Sequence, residues 1–133
     1  MMYLIDTDIS IFSIKGKFKL KEKFLEIGFR NCWLSEISKA ELLYNVSNSE
    51  FVTDNKQTIE EYLSKFEFLP ITHVLELFAD EKAYLKKAGK IISDFDILIG
   101  VTAIYYDLTL VTHNTRHFSR LQNIKLEDWV TNN

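Results

Sequence analysis

Five short apolar runs alternate with helix-like segments along this chain, and that alternation limits the folds open to it. Residues 2–6 read as a buried strand. Residues 32–35 (Cys-Trp-Leu-Ser) read as a second, Phe66 to Ile71 suggest a third ending at Pro70, and Leu108 to Val111 form a fourth. A last strand falls near 124–126. Between them lie a short helix over 7–15, an amphipathic segment over 18–29 and a helix from about Ser38 to Val46. Further helices span 55–66, 73–88 (stopped by Gly89), 94–106 and about 115–121. The segment 94–106 is apolar almost all round (Ile97, Leu98, Ile99, Val101, Ala103, Ile104), so it must be buried. Strands alternating with helices predict an α/β protein whose mostly parallel sheet is covered on both faces.

Composition narrows the class further. The 133 residues suit one domain, 1–133, with one core, and 47% of them are apolar. Only four Gly and one Pro argue against disorder and against a turn-rich all-β fold. No run approaches the ~18–20 apolar residues of a membrane span, and no signal peptide is legible. The lone Cys32 excludes an internal disulfide and fits a reducing cytoplasm. One Cys and three His leave little for a zinc site. The net charge of −3 does not announce a nucleic-acid binder, although a local basic patch remains compatible with it.

The chemistry is carried by acids. Asp6 ends the first strand, where an acid is partly buried and needs partners. Glu41 follows the second strand and Asp96 begins the apolar helix. Asn114 follows the strand 108–111. In a parallel sheet all four fall at the carboxyl ends of the strands, the usual ligand-binding edge. Three neighbouring carboxylates repel one another and call for a shared cation. Oxygen-only ligands select magnesium or manganese, which suits hydrolysis of a phosphate ester.

Simpler roles fit the same residues. Ser38-Lys39-Ala40-Glu41 fits a capping box, and Ser93-Asp94-Phe95-Asp96 is a weaker one. Thr7 or Asp8 is expected to cap the first helix, and Asn114 can be a turn former. Gly100 and Ala103, on the Asp96 face, either leave space over the carboxylate or serve close helix packing.

Several blocks carry a family resemblance. They are Tyr3-Leu4-Ile5-Asp6-Thr7, Ser35 to Leu42, Asp94 to Ala103, Leu108 to Phe118, and Lys125-Leu126-Glu127-Asp128-Trp129. In order and spacing the chain resembles the PIN-domain family and, within it, the VapC-type toxin ribonucleases of bacterial toxin–antitoxin pairs. The resemblance implies a three-layer α/β/α PIN-like fold and a cytoplasmic endoribonuclease that uses Mg2+ or Mn2+. Asp6, Glu41 and Asp96 match the metal-binding acids, and Asn114 matches the polar position after the fourth main strand. Thr7 matches a hydroxyl neighbour of the first acid, and Thr7, Thr112 and Arg116 are the expected substrate contacts. Many relatives carry an acid where this chain has His117, so a three-carboxylate site assisted by Asn114 is expected. Lys39, Arg116 and Arg120, and with less force the run Lys15 to Lys23, are candidates to grip RNA phosphates.

The family also implies a homodimer and a cognate VapB-type antitoxin whose tail blocks the site. The aromatic stretch 55–68 (Tyr62, Phe66, Phe68) offers either an antitoxin groove or core packing. Two other functions remain open on sequence. Asp6-Thr7-Asp8 fits the nucleophile motif of haloacid-dehalogenase-like phosphatases, but Thr112-His113-Asn114 fits that pattern poorly. A non-catalytic interaction domain, whose acids only cap helices, is the other.

Overall fold

Short apolar strands in this chain are hydrophobic on both sides, so the sheet they build must be covered twice. The computed structural model describes residues 1–48 and 52–130, without the side chains of 52–54. Five strands, β1 (Tyr3–Ile5), β2 (Cys32–Ser35), β3 (Glu67–Leu69), β4 (Thr109–Val111) and β5 (Lys125–Glu127), form one sheet in the order β3-β2-β1-β4-β5. Every pairing is parallel, with Tyr3 opposite both Cys32 and Thr109.

Successive side chains of a strand face opposite ways, and the two cores divide accordingly. Tyr3 and Ile5 enter one core while Leu4 enters the other. The first core is closed by α1 (Thr7–Ile14), α2 (Leu20–Ile27), α3 (Glu36–Ser47) and α4 (Val52–Leu63), through Ile9, Phe24, Leu42 and Ile59. The second is closed by α5 (Leu75–Ala88), α6 (Asp94–Tyr105) and α7 (Thr115–Phe118), through Leu85, Ile97, Val101 and Phe118. The result is a three-layer α/β/α architecture around a parallel sheet. No helix among the described residues is long and apolar enough to cross a membrane.

Several local expectations need correction. Asp6, not Thr7 or Asp8, is the N-cap of α1, and its side chain accepts from Thr7 N. Helix α3 begins at Glu36 under an Ser35 cap whose Oγ accepts from Ile37 N at 3.0 Å. Ser38 therefore lies inside the first turn, and Ser38 to Glu41 is not a capping box. Glu41 falls in the second turn instead, with its carboxylate released from any capping duty. At α6 the expected cap holds: Ser93 Oγ accepts from Asp96 N at 3.2 Å. No strand precedes Asp96; residues 90–93 are irregular.

Gly100 serves packing rather than open space. A Cβ there would collide with Leu121 Cδ1, and it would also meet Ile124 and Phe118. The aromatics of 55–68 divide. Tyr62 and Phe66 are buried in the first core against Phe24, with Tyr62 Oη donating to Ser10 Oγ at 2.8 Å. They pack the core, and Tyr62 also borders a surface pocket with Lys21, Thr58 and Lys65. Phe68 is partly buried under Lys39 Nζ, 5.0 Å from its ring centroid.

Candidate active site

The strand order reverses about β1: the chain builds β2 and β3 on one side, then crosses to β4 and β5 on the other. The ends of β1 and β4 flank that switch point, where such sheets leave a crevice. Asp6 lies there. Its N–H donates to Val111 O at 2.9 Å, so backbone pairing carries on one residue past the strand. Its Oδ1 accepts from Thr7 N at 2.8 Å and its Oδ2 from Thr112 Oγ1 at 2.8 Å. Asp6 is only 5% exposed, and no described ion pair reaches it.

Asp8 shares this position. Its Oδ1 accepts from Ile9 N at 2.7 Å, and its Oδ2 from His113 N at 3.1 Å and, more weakly, from Thr112 Oγ1 at 3.4 Å. Thr112 Oγ1 also accepts from Asn114 N at 3.0 Å, so one hydroxyl joins the β4 turn to both acids. The charges of the two carboxyls act on each other. Burial pushes Asp6 well above the usual carboxylate range, and the charge of Asp8 pushes it further, against the bonds from Thr112 and Thr7. Asp8 is raised too, chiefly by burial. The repulsion within this pair is what a bound cation would relieve. Sequence reasoning set Asp8 aside as a cap. Its alternation with Asp6 across one helical residue was the available signal.

Glu41 approaches from α3. Thr7 Oγ1 donates to Glu41 Oε1 at 2.7 Å, and Ser38 Oγ stands 2.9 Å from the same hydroxyl. Thr7 has one proton, so its bond to the carboxylate leaves the Ser38 hydroxyl to donate to Thr7. Burial raises the Glu41 pKa; the nearby charges of Asp96 and Asp8 add to the rise. Asp96 is brought to this edge because α6 runs back to feed β4, so its first turn sits beyond the carboxyl ends of the strands. The structure thus gathers Asp6, Asp8, Glu41 and Asp96 into one electrostatically coupled group. Among the described residues, no three His, Cys, Asp or Glu side chains converge as they stand on a point where a metal ion could sit. In kind, an all-oxygen donor set in which the Asp6, Asp8 and Glu41 carboxyls are raised suits a hard divalent cation. In pose, Glu41 is turned to Thr7 and the Asp pair to Thr112.

The remaining expected residues take other positions. The hydroxyls of Thr7 and Thr112 are bonded to the carboxylates of Glu41 and Asp6. Asn114 is exposed at the head of α7, and its side chain makes no capping bond. Arg116 is exposed on α7. Arg120 is tied to Ile91 O at 3.0 Å and Lys39 lies over Phe68. His113 pairs with Asp128 at 3.0 Å, at the rim beside Asp8.

The chain as a whole has known relatives. The family model for the PIN domain matches residues 3–124. The chain is 35% identical to Ribonuclease VapC2 of Haemophilus influenzae, with 98% of this chain and 99% of that protein covered. It is 30% identical to the tRNA(fMet)-specific endonuclease VapC of Shigella flexneri, covering 97% of this chain and 98% of the other. Among solved structures, VapBC2 of Rickettsia felis bound to a DNA fragment from its promoter contains a chain that superposes with a TM-score of 0.88. That chain is 31% identical, and the match covers 97% of this chain and 99% of that one. By sequence over nearly its whole length and by the architecture of its sheet, the chain belongs to the PIN-domain family, among the VapC ribonucleases.

Proposed function

We propose that this protein is a magnesium- or manganese-dependent endoribonuclease and the toxin of a type II toxin–antitoxin pair. The observation that carries the reading is the Asp6–Asp8 pair at the sheet's switch point, with the charges of Asp8 and Asp96 acting on Glu41 and His113 facing Asp8. Such a group holds protons or a cation, and only the cation does hydrolytic work on a phosphodiester. Asp6, Glu41 and Asp96 would hold it, directly or through water, with Asp8 adding negative charge beside Asp6. When bound, such an ion activates water and offsets charge on the phosphate.

The chain's own residues supply the rest. Thr112 and Thr7 N fix the Asp6 carboxylate, and Thr7 Oγ1 fixes Glu41, so these acids are oriented before substrate arrives. Asn114 has a free amide to offer a phosphate oxygen, and Arg116 is placed to neutralise the RNA backbone. The relatives' names support RNA as substrate, one of them specifying a transfer RNA. The Rickettsia felis complex supports a VapB-type antitoxin as partner. A second copy of the chain and a cytoplasmic setting complete the proposal, and expression without antitoxin should arrest translation and growth.

The test is cleavage of total RNA by purified protein with magnesium, with manganese and with chelator. Cleavage should need the cation and should vanish in Asp6→Asn. Cutting that persists in chelator, or in that variant, would overturn the reading.

A further inference from the structure

Beside the acids lies a cleft of about 570 Å³, within the size range of small-molecule sites. Thr7 and Ile11 of α1, Glu41, Tyr44 and Asn45 of α3, and Phe95 of α6 line it. Two of its walls are large aromatics left in water: Tyr44 is 65% exposed and Phe95 is 48% exposed. Both rings present much of their surface to solvent. Each is tied in sequence to an acid of the site, since Phe95 adjoins Asp96 and Tyr44 lies one turn beyond Glu41.

From this cleft we infer that Tyr44 and Phe95 form a stacking platform for an unpaired base next to the scissile phosphate, which makes them specificity-determining residues. The inference rests on the ribonuclease reading and names its substrate form: RNA that is single-stranded at the cut. Charge selects the occupant. The cleft has no Lys or Arg and carries one carboxylate, Glu41, so an anionic phosphate is disfavoured there. A neutral group with a π face is favoured, and every base has one. Asn45 offers an amide with both donor and acceptor to a base edge. Position supports the same occupant. Thr7 and Glu41 belong to both cleft and acid group, so a nucleotide whose phosphate meets the acids has its base within reach of the rings. In a duplex that base would be stacked and paired, out of the cleft's reach.

The experiment uses an RNA oligonucleotide spanning a mapped cut, and the same oligonucleotide with an abasic residue at either nucleotide flanking the cut. Wild type should cleave one of the abasic forms roughly 5- to 100-fold less efficiently in kcat/KM, the range of a lost base–aromatic stack. Tyr44→Ala with Phe95→Ala should lose a similar factor on the intact oligonucleotide and be indifferent to the abasic change. Tyr44→Phe with Phe95→Tyr should restore wild-type behaviour. Both rings are surface groups, so unchanged thermal unfolding of the variants is expected and checks the fold. Variants that cut as well as wild type, or that keep the full abasic penalty, would overturn the inference while leaving the nuclease reading intact. So would variants that cut normally but escape inhibition by the antitoxin, since the cleft would then belong to a protein segment. Wild-type protein that cuts no RNA with added cation would instead overturn the nuclease reading, and the inference with it.

Discussion

Asp6 is unusual in being both a helix cap and a buried acid whose neighbour is another acid. Its two oxygens accept from Thr7 N and Thr112 Oγ1, which favours the charged form, yet burial and Asp8 win and the pKa rises. The consequence for stability has a definite sign. A carboxyl whose folded-state pKa is raised stabilises the fold below its unfolded pKa, near 4, and that contribution is lost as pH rises through the folded value. Metal-free protein should therefore become less stable from about pH 4 towards neutrality. Asp6→Asn removes the charge and keeps an acceptor for Thr7 N, while an amide N–H takes the place of the oxygen that accepts from Thr112. The variant should lose cleavage yet melt a few degrees higher than wild type in chelator at pH 7.5, roughly 2–6 °C, and its stability should vary less with pH. A lower melting temperature across that range, read by calorimetry, would mean that Asp6 is a structural acid.

Helices α3 and α6 show how one residue of register changes a functional reading. The sequence Ser35-Glu36-Ile37-Ser38 offers two possible caps, and local pattern cannot choose between them. Strand β2 chooses: Ser35 pairs with Leu69 as the last residue of β2, leaving its Oγ over Ile37 N. Ser35→Ala should cost about 1 kcal/mol and lower Tm by roughly 3–6 °C, as thermal unfolding would show; an unchanged Tm would shift the cap to another residue. On α6, Gly100 is a packing glycine. Gly100→Ala drives a methyl into Leu121, itself 3% exposed, and should cost about 1–3 kcal/mol. Because Leu121 follows α7, which also carries Arg116, that variant should lower kcat/KM as well as stability. Wild-type stability in Gly100→Ala would show that Leu121 has room to turn aside. The same two helices mark how far sequence reaches. Element order, the burial of α6 and the cap at Ser93 were legible because each rests on periodicity or local hydrogen bonding. Packing at Gly100 and the release of Glu41 from capping depend on contacts with β2 and α7, distant in the chain, so they were not.

At the level of the molecule, the sheet order accounts for the site. Asp6, Glu41 and Asp96 are widely separated in sequence, yet parallel strands bring their flanking segments to one edge, which made those three acids readable as candidates without a structure. Asp8 was not readable in the same way, because Thr112 and His113 assign it to the site from across the switch point. The edge now carries four carboxylates against a net charge of only −3 for the whole chain, so negative charge is concentrated where it is least well solvated. Because the Asp6, Asp8 and Glu41 carboxyls are all raised, a cation binding there works against their protonation. Protons and metal therefore compete, and metal affinity should rise with pH as those carboxyls ionise. Because an ion that binds only the folded state stabilises it by mass action, the competition is visible in unfolding without any RNA present. Saturating magnesium or manganese should raise Tm more at pH 8 than at pH 5.5. Glu41→Gln, which can still accept from Thr7, should shrink the shift at both values, and Asp6→Asn should nearly abolish it. A shift of equal size at the two pH values, or one retained by Asp6→Asn, would place the cation away from the switch point and separate the acids' mutual repulsion from metal binding.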